Sequence, residues 1–131
     1  MSAIYMTNPN STDILANGII PININKRVGC AFRYGSNSAL IGKPGYYKIS
    51  ASVTFTGSAA GDASLAVQKN GETIPGITAV ETITTADTEY RTVTMQGIIR
   101  VLCHEGPVVI SLVNTSDIDI TTYNVSLSII D

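Results

Sequence analysis

Apolar and polar positions alternate with a period of two along much of the chain, and the clearest stretch runs from Tyr46 to Phe55. Successive side chains of a β-strand point to opposite faces, so this pattern predicts a strand with one core face and one outer face. Pro44-Gly45, immediately before it, is a turn signal. No segment of helical length repeats apolar residues every three or four positions, so the predicted fold is all-β. The expected core face of this strand carries Tyr47, Ile49, Ala51, Val53 and Phe55.

The same alternation predicts five more strands in the C-terminal two thirds of the chain. One of them ends at Asn70-Gly71, the strongest two-residue hairpin signal, and its return strand runs to about Ile83 with an interruption near Pro75-Gly76. A strand over 88–103 has Gly97 in its middle, where a bulge or a close contact is expected. The expected core residues of these strands are Ala63, Leu65, Val67, Val93, Met95, Ile99, Val101, Val108, Ile110, Leu112, Tyr123, Val125, Leu127 and Ile129.

The N-terminal third of the chain is less regular. Short strands are predicted at Ile14-Leu15, at Ile19-Ile20 and over 28–34. With the others they give about 8–10 strands separated by turn signals, which predicts an antiparallel jelly-roll β-sandwich. The length of 131 residues fits one domain. We expect that domain over 21–131, with residues 1–20 as an anchor or an edge strand.

Charge and hydropathy narrow the range of partners. The chain has 8 Lys and Arg against 10 Asp and Glu, for a net charge of −2. Phosphate contacts need clustered basic residues, and only Lys26 and Arg27 are adjacent, so we expect no nucleic-acid partner. No apolar run approaches the roughly 20 residues that span a bilayer, so we expect no membrane partner. Residues 1–10 lack the basic flank and apolar core of a signal peptide, so we expect synthesis in the cytoplasm without one.

Residues that carry catalysis or bind metals are sparse. His104 is the single histidine, and no G-x-S-x-G motif marks a nucleophile, so a solvated turn histidine is the simpler interpretation. A zinc site needs about four ligands, and only Cys103 and His104 are neighbours. Asp117 and Asp119 could share a calcium ion, but the further oxygen ligands and the glycine of a calcium loop are missing. We therefore expect no catalytic, cofactor-binding or metal-binding residues.

Cys30 and Cys103 lie far apart in the sequence. Two reduced, partly buried thiols are the favoured interpretation in the absence of a secretion signal. A single disulfide is the alternative, if the two strands that carry them are neighbours.

Three runs of residues resemble a known superfamily. The run 42–55, Gly-Lys-Pro-Gly-Tyr-Tyr-Lys-Ile-Ser-Ala-Ser-Val-Thr-Phe, resembles the signature strand of the tumour-necrosis-factor and complement-globular-head superfamily, in which a Pro-Gly-x-Tyr turn opens a strand of the trimer-forming sheet. The run 63–76 is similar to the hairpin that follows it in many bacterial and phage members. Residues 7–11 and 27–30 resemble small phage virion proteins of this type. The resemblance implies a tumour-necrosis-factor-like jelly roll that forms a homotrimer.

The resemblance also assigns the faces of the strands, since the strands 46–55, 88–102 and 122–130 would form the sheet that faces the threefold axis. Their residues opposite the core are small, neutral or apolar, with Lys48 and Arg100 as the exceptions. A solvent-exposed face normally carries more charge, so this composition suits an interface. The expected trimer-interface residues are Tyr46, Ser50, Ser52, Thr92, Thr94, Gln96, Ile98, Ser126, Ser128 and Ile130.

The function that the resemblance implies is that of a non-enzymatic bacteriophage structural protein, made in the host cytoplasm and placed on the virion surface. It would be a capsid decoration trimer or a component of a head or tail fibre, bound to other virion proteins such as a capsid or fibre protein. The alternative is a carbohydrate- or receptor-binding module, such as a fibre tip, that contacts a host surface glycan through loops 57–62, 76–87 or 114–121. Solvent-facing aromatics for such a site would be Tyr5, Tyr34, Tyr46 or Tyr90.

Overall fold

A computed structural model describes all 131 residues, Met1–Asp131, and contains eleven β-strands, slightly more than the sequence predicts. The strands are β1 (Ala3–Asn8), β2 (Thr12–Ile14), β3 (Asn23–Val28), β4 (Phe32–Gly35), β5 (Ser38–Ile41), β6 (Gly45–Gly57), β7 (Gly61–Lys69), β8 (Glu72–Ile83), β9 (Arg91–Val101), β10 (Val108–Asn114) and β11 (Ile120–Ile130).

The strands form two antiparallel sheets. The first sheet has the order β3-β1-β11-β6-β9, and β2 also pairs with β11. The second sheet has the order β4-β5-β10-β7-β8. Strands that are neighbours in a sheet are mostly distant in the sequence, because the chain crosses repeatedly between the two layers. The predicted all-β jelly-roll sandwich is confirmed.

The core lies between the sheets and follows the period-two alternation. Tyr47, Ile49, Ala51, Val53 and Phe55 of β6 are all buried, as predicted. The Tyr47 ring contacts that of Phe32 edge-on, with centroids 5.5 Å apart. Its hydroxyl donates to the Lys43 carbonyl oxygen at 2.7 Å, so this large core aromatic leaves no unpaired polar group.

The predicted hairpin at Asn70-Gly71 joins β7 to β8 and is confirmed. Both residues have positive φ, 53° and 85°, which is the requirement of a type I′ turn. The interruption predicted near Pro75-Gly76 is present as a break in the pairing of β8. Residues 74–77 bulge out opposite Val67, because Ala66 pairs with Thr78 while Gln68 pairs with Thr73. The strand then continues to Ile83, so most of the range 76–87 is not a loop.

Gly97 makes the close contact that its position in the middle of a strand predicts. It pairs with Ile49 without a shift in register, so it is not a bulge. The side chain of Ile77 from the second sheet lies directly over it. A Cβ atom added to Gly97 would lie 2.6 Å from Cγ1 of Ile77. Glycine at this position therefore lets the two sheets approach each other.

The N-terminal third differs most from prediction. Residues 28–34 are not one strand: β3 ends at Val28 in the first sheet and β4 begins at Phe32 in the second. Gly29 separates them with φ of 82°, a left-handed conformation that side chains disfavour. Ile19 forms only an isolated bridge to Val113. The segment 1–20 supplies β1, which lies between β3 and β11 and buries Ile4 and Met6 in the core.

Tyr123 was predicted on the core face, and that prediction is wrong. Thr122 pairs with Phe55 and Asn124 pairs with Thr54, so Tyr123 is the extra residue of a β-bulge in β11. The bulge shifts the alternation by one position. Thr122 is therefore buried, whereas Tyr123 is half-buried beside Tyr90.

We predict that Gly97→Ala destabilises the fold by about 1–3 kcal/mol, the usual cost of overpacking a core. The measurement is the free energy of unfolding from chemical denaturation. Gly106→Ala is the matched control, because a Cβ there meets nothing within 4 Å. Ile77→Ala should cost less in the Gly97→Ala background than alone, since it removes the colliding atoms. Additive effects of the two substitutions would contradict this explanation.

Candidate functional site

The surface of the first sheet that faces away from the core, called the outer face below, is the candidate site. Strands β11, β6 and β9 are adjacent in that sheet, so the residues predicted for the interface lie on one continuous surface. The cross-strand register places them in rows. One row is Ser126, Ser52 and Thr94, and the next is Ser128, Ser50 and Gln96.

The outer face continues onto β1, which the sequence interpretation missed. Tyr5 lies opposite Ser128, and Thr7 lies opposite Ser126. The signal was present in the alternation of buried Ile4, Met6 and Asn8 with more exposed residues. The strand is only six residues long, so the pattern was too short to distinguish it from an irregular segment.

The centre of the outer face is a shallow depression of about 300 Å³. Hydroxyl and amide side chains form most of its lining: Ser50, Ser52, Thr94, Gln96, Ser126 and Ser128. Outside this depression, the outer face carries two cations, Lys48 of β6 and Arg100 of β9. Strands β1, β6, β9 and β11 present no carboxylate on the outer face. The centre of the face is therefore nearly uncharged, and its cations have no acidic partner on these strands.

One end of the outer face is apolar. Ile98 is 69% exposed and Ile130 is 40% exposed, and both flank Lys48 in the same cross-strand row. Tyr46, two residues before Lys48 in β6, is 65% exposed. The Arg100 guanidinium lies 5.7 Å from the centroid of the Tyr46 ring. Large apolar side chains grouped on an exposed sheet face mark a surface that another molecule covers.

The opposite end of the outer face has an aromatic pair. The rings of Tyr90 and Tyr123 have centroids 5.2 Å apart and are tilted by 57°. Beside them, the hydroxyls of Thr54 and Thr92 lie 2.9 Å apart in a hydrogen bond. The aromatics considered for a glycan site therefore do not form one surface, because Tyr46 lies at the other end of β6 and Tyr34 belongs to β4 in the second sheet.

The residues considered for catalysis or metal binding are dispersed. No group of three or more His, Cys, Asp or Glu side chains is placed to hold a metal ion. His104 is exposed in the turn after β9. Asp119 accepts a hydrogen bond from the Ala16 backbone N–H at 2.8 Å, which ties the loop before β11 to the N-terminal segment. Cys30 and Cys103 are unpaired and exposed rather than partly buried. No helix of the structure is long and apolar enough to cross a bilayer.

Solved structures share the fold of this chain at low sequence identity. Murine APRIL at pH 5.0 superposes with a TM-score of 0.68 and 13% identity over 97% of both chains. The globular domain of zebrafish complement 1qA gives 0.66 and 11%, over 98% of this chain and 95% of that one. The PRD1 vertex protein P5 gives 0.52 and 16%, over 99% and 97%. The fold is therefore the tumour-necrosis-factor-like jelly roll that the sequence resemblance implied.

No protein-family model matches the sequence, and no curated protein matches it significantly.

Proposed function

We propose that this chain is a non-enzymatic structural protein of a bacteriophage virion surface, which assembles as a homotrimer through the outer face of its first sheet. Its role would be capsid decoration or part of a head or tail fibre, in contact with other virion proteins. The observation that carries the proposal is the outer face itself. It combines a nearly uncharged centre with exposed Ile98, Ile130 and Tyr46 at one end.

The composition of this face supports burial by other copies of the chain. A sheet face in contact with solvent normally carries mixed charges, which keep a protein soluble. Hydroxyl-bearing and small side chains, by contrast, leave the sheet flat enough for another chain to approach. In a cyclic trimer every subunit contributes the same two complementary surfaces, and the outer face around the threefold axis would supply both.

The placement on a virion is supported by the likeness to the vertex protein P5 of phage PRD1 over nearly the whole length of both chains. Murine APRIL and zebrafish complement 1qA have the same fold, so the fold is compatible with several roles. The phage-like residues at 7–11, 27–30 and 63–76 favour the virion role over the others. We propose no catalytic role, since His104, the single histidine, is exposed in a turn and makes no side-chain hydrogen bond.

We predict that the purified protein has about three times the chain mass in solution, and that Ser126→Lys converts it to a folded monomer. Ser126 lines the central depression, and an unpaired ammonium buried there would cost several kcal/mol per subunit. Light scattering after size-exclusion chromatography gives the mass, and circular dichroism checks the fold.

Ser36→Lys is the matched control for the trimer prediction, because Ser36 is exposed in the turn between β4 and β5 of the second sheet. It should leave the mass unchanged. A wild-type monomer, or a Ser126→Lys protein that keeps the wild-type mass, would overturn the assignment of the interface.

A second candidate function is glycan binding at the Tyr90–Tyr123 pair. Tyr90 is 61% exposed, and the neighbouring Thr54 and Thr92 hydroxyls offer hydrogen-bonding groups beside an aromatic surface. This combination of a stacking surface with a few polar groups is typical of sugar sites. It is the specific observation that favours a receptor-binding role, which requires this end of the outer face, including Thr92, to stay uncovered in the oligomer.

For this second candidate, the predicted result is specific binding on a glycan array that Tyr90→Ala abolishes. Tyr34→Ala is the control, because Tyr34 is also exposed but lies in the second sheet with its hydroxyl bonded to Ile22 and Asn23. Absence of binding by the wild type, or equal binding by both variants, would exclude the tyrosine pair as the site.

A further inference from the structure

The two cations of the outer face, Lys48 and Arg100, form no ion pair within the chain. Both side chains are exposed. The cations that do form ion pairs are Lys69 and Arg91, which lie elsewhere. Strands β1, β6, β9 and β11 place no carboxylate beside Lys48 or Arg100 on the outer face. Both cations therefore remain able to bind a group of opposite charge.

The two cations lie in one small area at the apolar end of the outer face. In the β6–β9 ladder Arg100 pairs with Tyr46, and Lys48 is two residues further along β6. The Arg100 guanidinium lies 5.7 Å from the centroid of the Tyr46 ring, a cation–π contact that uses none of its N–H donors in a hydrogen bond. A guanidinium carries five such donors in a planar fork, which matches the oxygen atoms of an oxyanion.

The surroundings of Lys48 also suit an anion. Its side chain lines a hollow of about 260 Å³ together with Gln96. Gln96 pairs with Ser50, and both line the central depression next to that hollow. Ammonium, amide and hydroxyl groups can all donate hydrogen bonds to an anion. No carboxylate lines the hollow, so it lacks the ligand that a hard metal cation prefers.

The inference rests on the proposed homotrimer, because symmetry would bring the cations of three copies together. The three copies of any residue lie at one level of a threefold axis. Strand β6 lies between β11 and β9, so it is the middle strand of the proposed interface. The three Lys48 side chains would therefore face one another across the axis, with the three Arg100 side chains beside them. Like charges grouped in this way repel each other and weaken the assembly, unless a counter-charge binds between them.

Two exposed carboxylates are the competing source of that counter-charge. Glu72 lines a hollow with Arg100, and Asp131 follows Ile130, which pairs with Lys48. Neither carboxylate forms an ion pair within its own chain, so in a trimer each could pair with a cation of the neighbouring subunit. A bound anion and a neighbouring carboxylate predict opposite effects of removing the Lys48 charge in a buffer that contains only chloride.

We propose that Lys48 and Arg100 of three copies form a ring that binds one multivalent oxyanion of the phosphate type at the apolar end of the trimer. The guanidinium forks and the ammonium groups would donate hydrogen bonds to the oxygen atoms of the anion. The anion would offset the repulsion between the subunits. Because the ring exists only in the trimer, binding of the anion favours the trimer over the separate chains.

The test titrates inorganic phosphate into the wild-type protein at constant ionic strength in a calorimeter. We expect one phosphate for every three chains. The dissociation constant of the trimer, measured by light scattering on dilution, should fall about tenfold when phosphate is at about ten times its Kd. Glycerol 2-phosphate distinguishes the source of the anion: equal binding indicates a ring open to phosphate groups on larger molecules, and weaker binding indicates a ring that takes the free ion.

Lys48→Gln and Arg100→Gln should each weaken phosphate binding about tenfold or more, because a charged hydrogen-bond donor is lost from each subunit. In chloride alone, Lys48→Gln should strengthen the trimer, since it removes repulsion. Arg33→Gln is the matched control, because Arg33 is an exposed cation of β4 in the second sheet, and it should change neither result.

The outcomes separate this inference from the proposed assembly. A wild-type trimer that binds no phosphate, or a Lys48→Gln trimer that is weaker in chloride, would refute the anion ring and leave the assembly standing. The second result would indicate that a carboxylate of the neighbouring subunit neutralises Lys48. A wild-type monomer would overturn both the assembly and the ring.

Discussion

Burial of one face of β6 is the constraint on which the rest of the structure depends. This strand pairs with β11 on one side and with β9 on the other along most of its length. Its inward residues Ile49, Val53 and Phe55 are completely buried. Because the side chains of a strand alternate strictly, burying these residues forces Ser50, Ser52 and Thr54 onto the outer face. The core therefore fixes where the outer residues point, but it does not determine which residue types they are. Their lack of charge requires a separate cause, and the proposed assembly with other copies would supply one.

The sequence predicts the fold well where the signal is local. The alternation in β6, the Asn-Gly turn and the lone Gly97 each carry their meaning within a few residues, and the structure confirms all three. Prediction failed where the structure of a segment is determined by its pairing with strands that are distant in the sequence. All six residues of β3 are exposed, so no alternation of burial marks it as a strand. The bulge at Tyr123 inserts one extra residue into β11, so the residues before it face the opposite way from what the alternation after it predicts. A pattern of period two in the sequence does not reveal such an insertion.

In the candidate site, too, the locally encoded features were predictable and those that depend on distant strand pairing were not. The parity of three strands was enough to place ten residues on one face, because all three proved to be neighbours in one sheet. The contribution of β1 depended on its pairing with β11, and the two lie at opposite ends of the chain.

The two cations of the outer face indicate how far an interface on it can extend. Burying an unpaired charge is costly, and neither Lys48 nor Arg100 makes an ion pair within the chain. Both lie towards the apolar end, where the Arg100 guanidinium lies over the exposed ring of Tyr46. Long basic side chains can keep their charged ends in water while their stems cover apolar surface. The hydroxyl-lined rows at the centre carry no such charge. The rows around Ser52 and Ser126 are therefore suited to complete burial in the proposed interface, whereas the charged ends of Lys48 and Arg100 would stay in water at its rim.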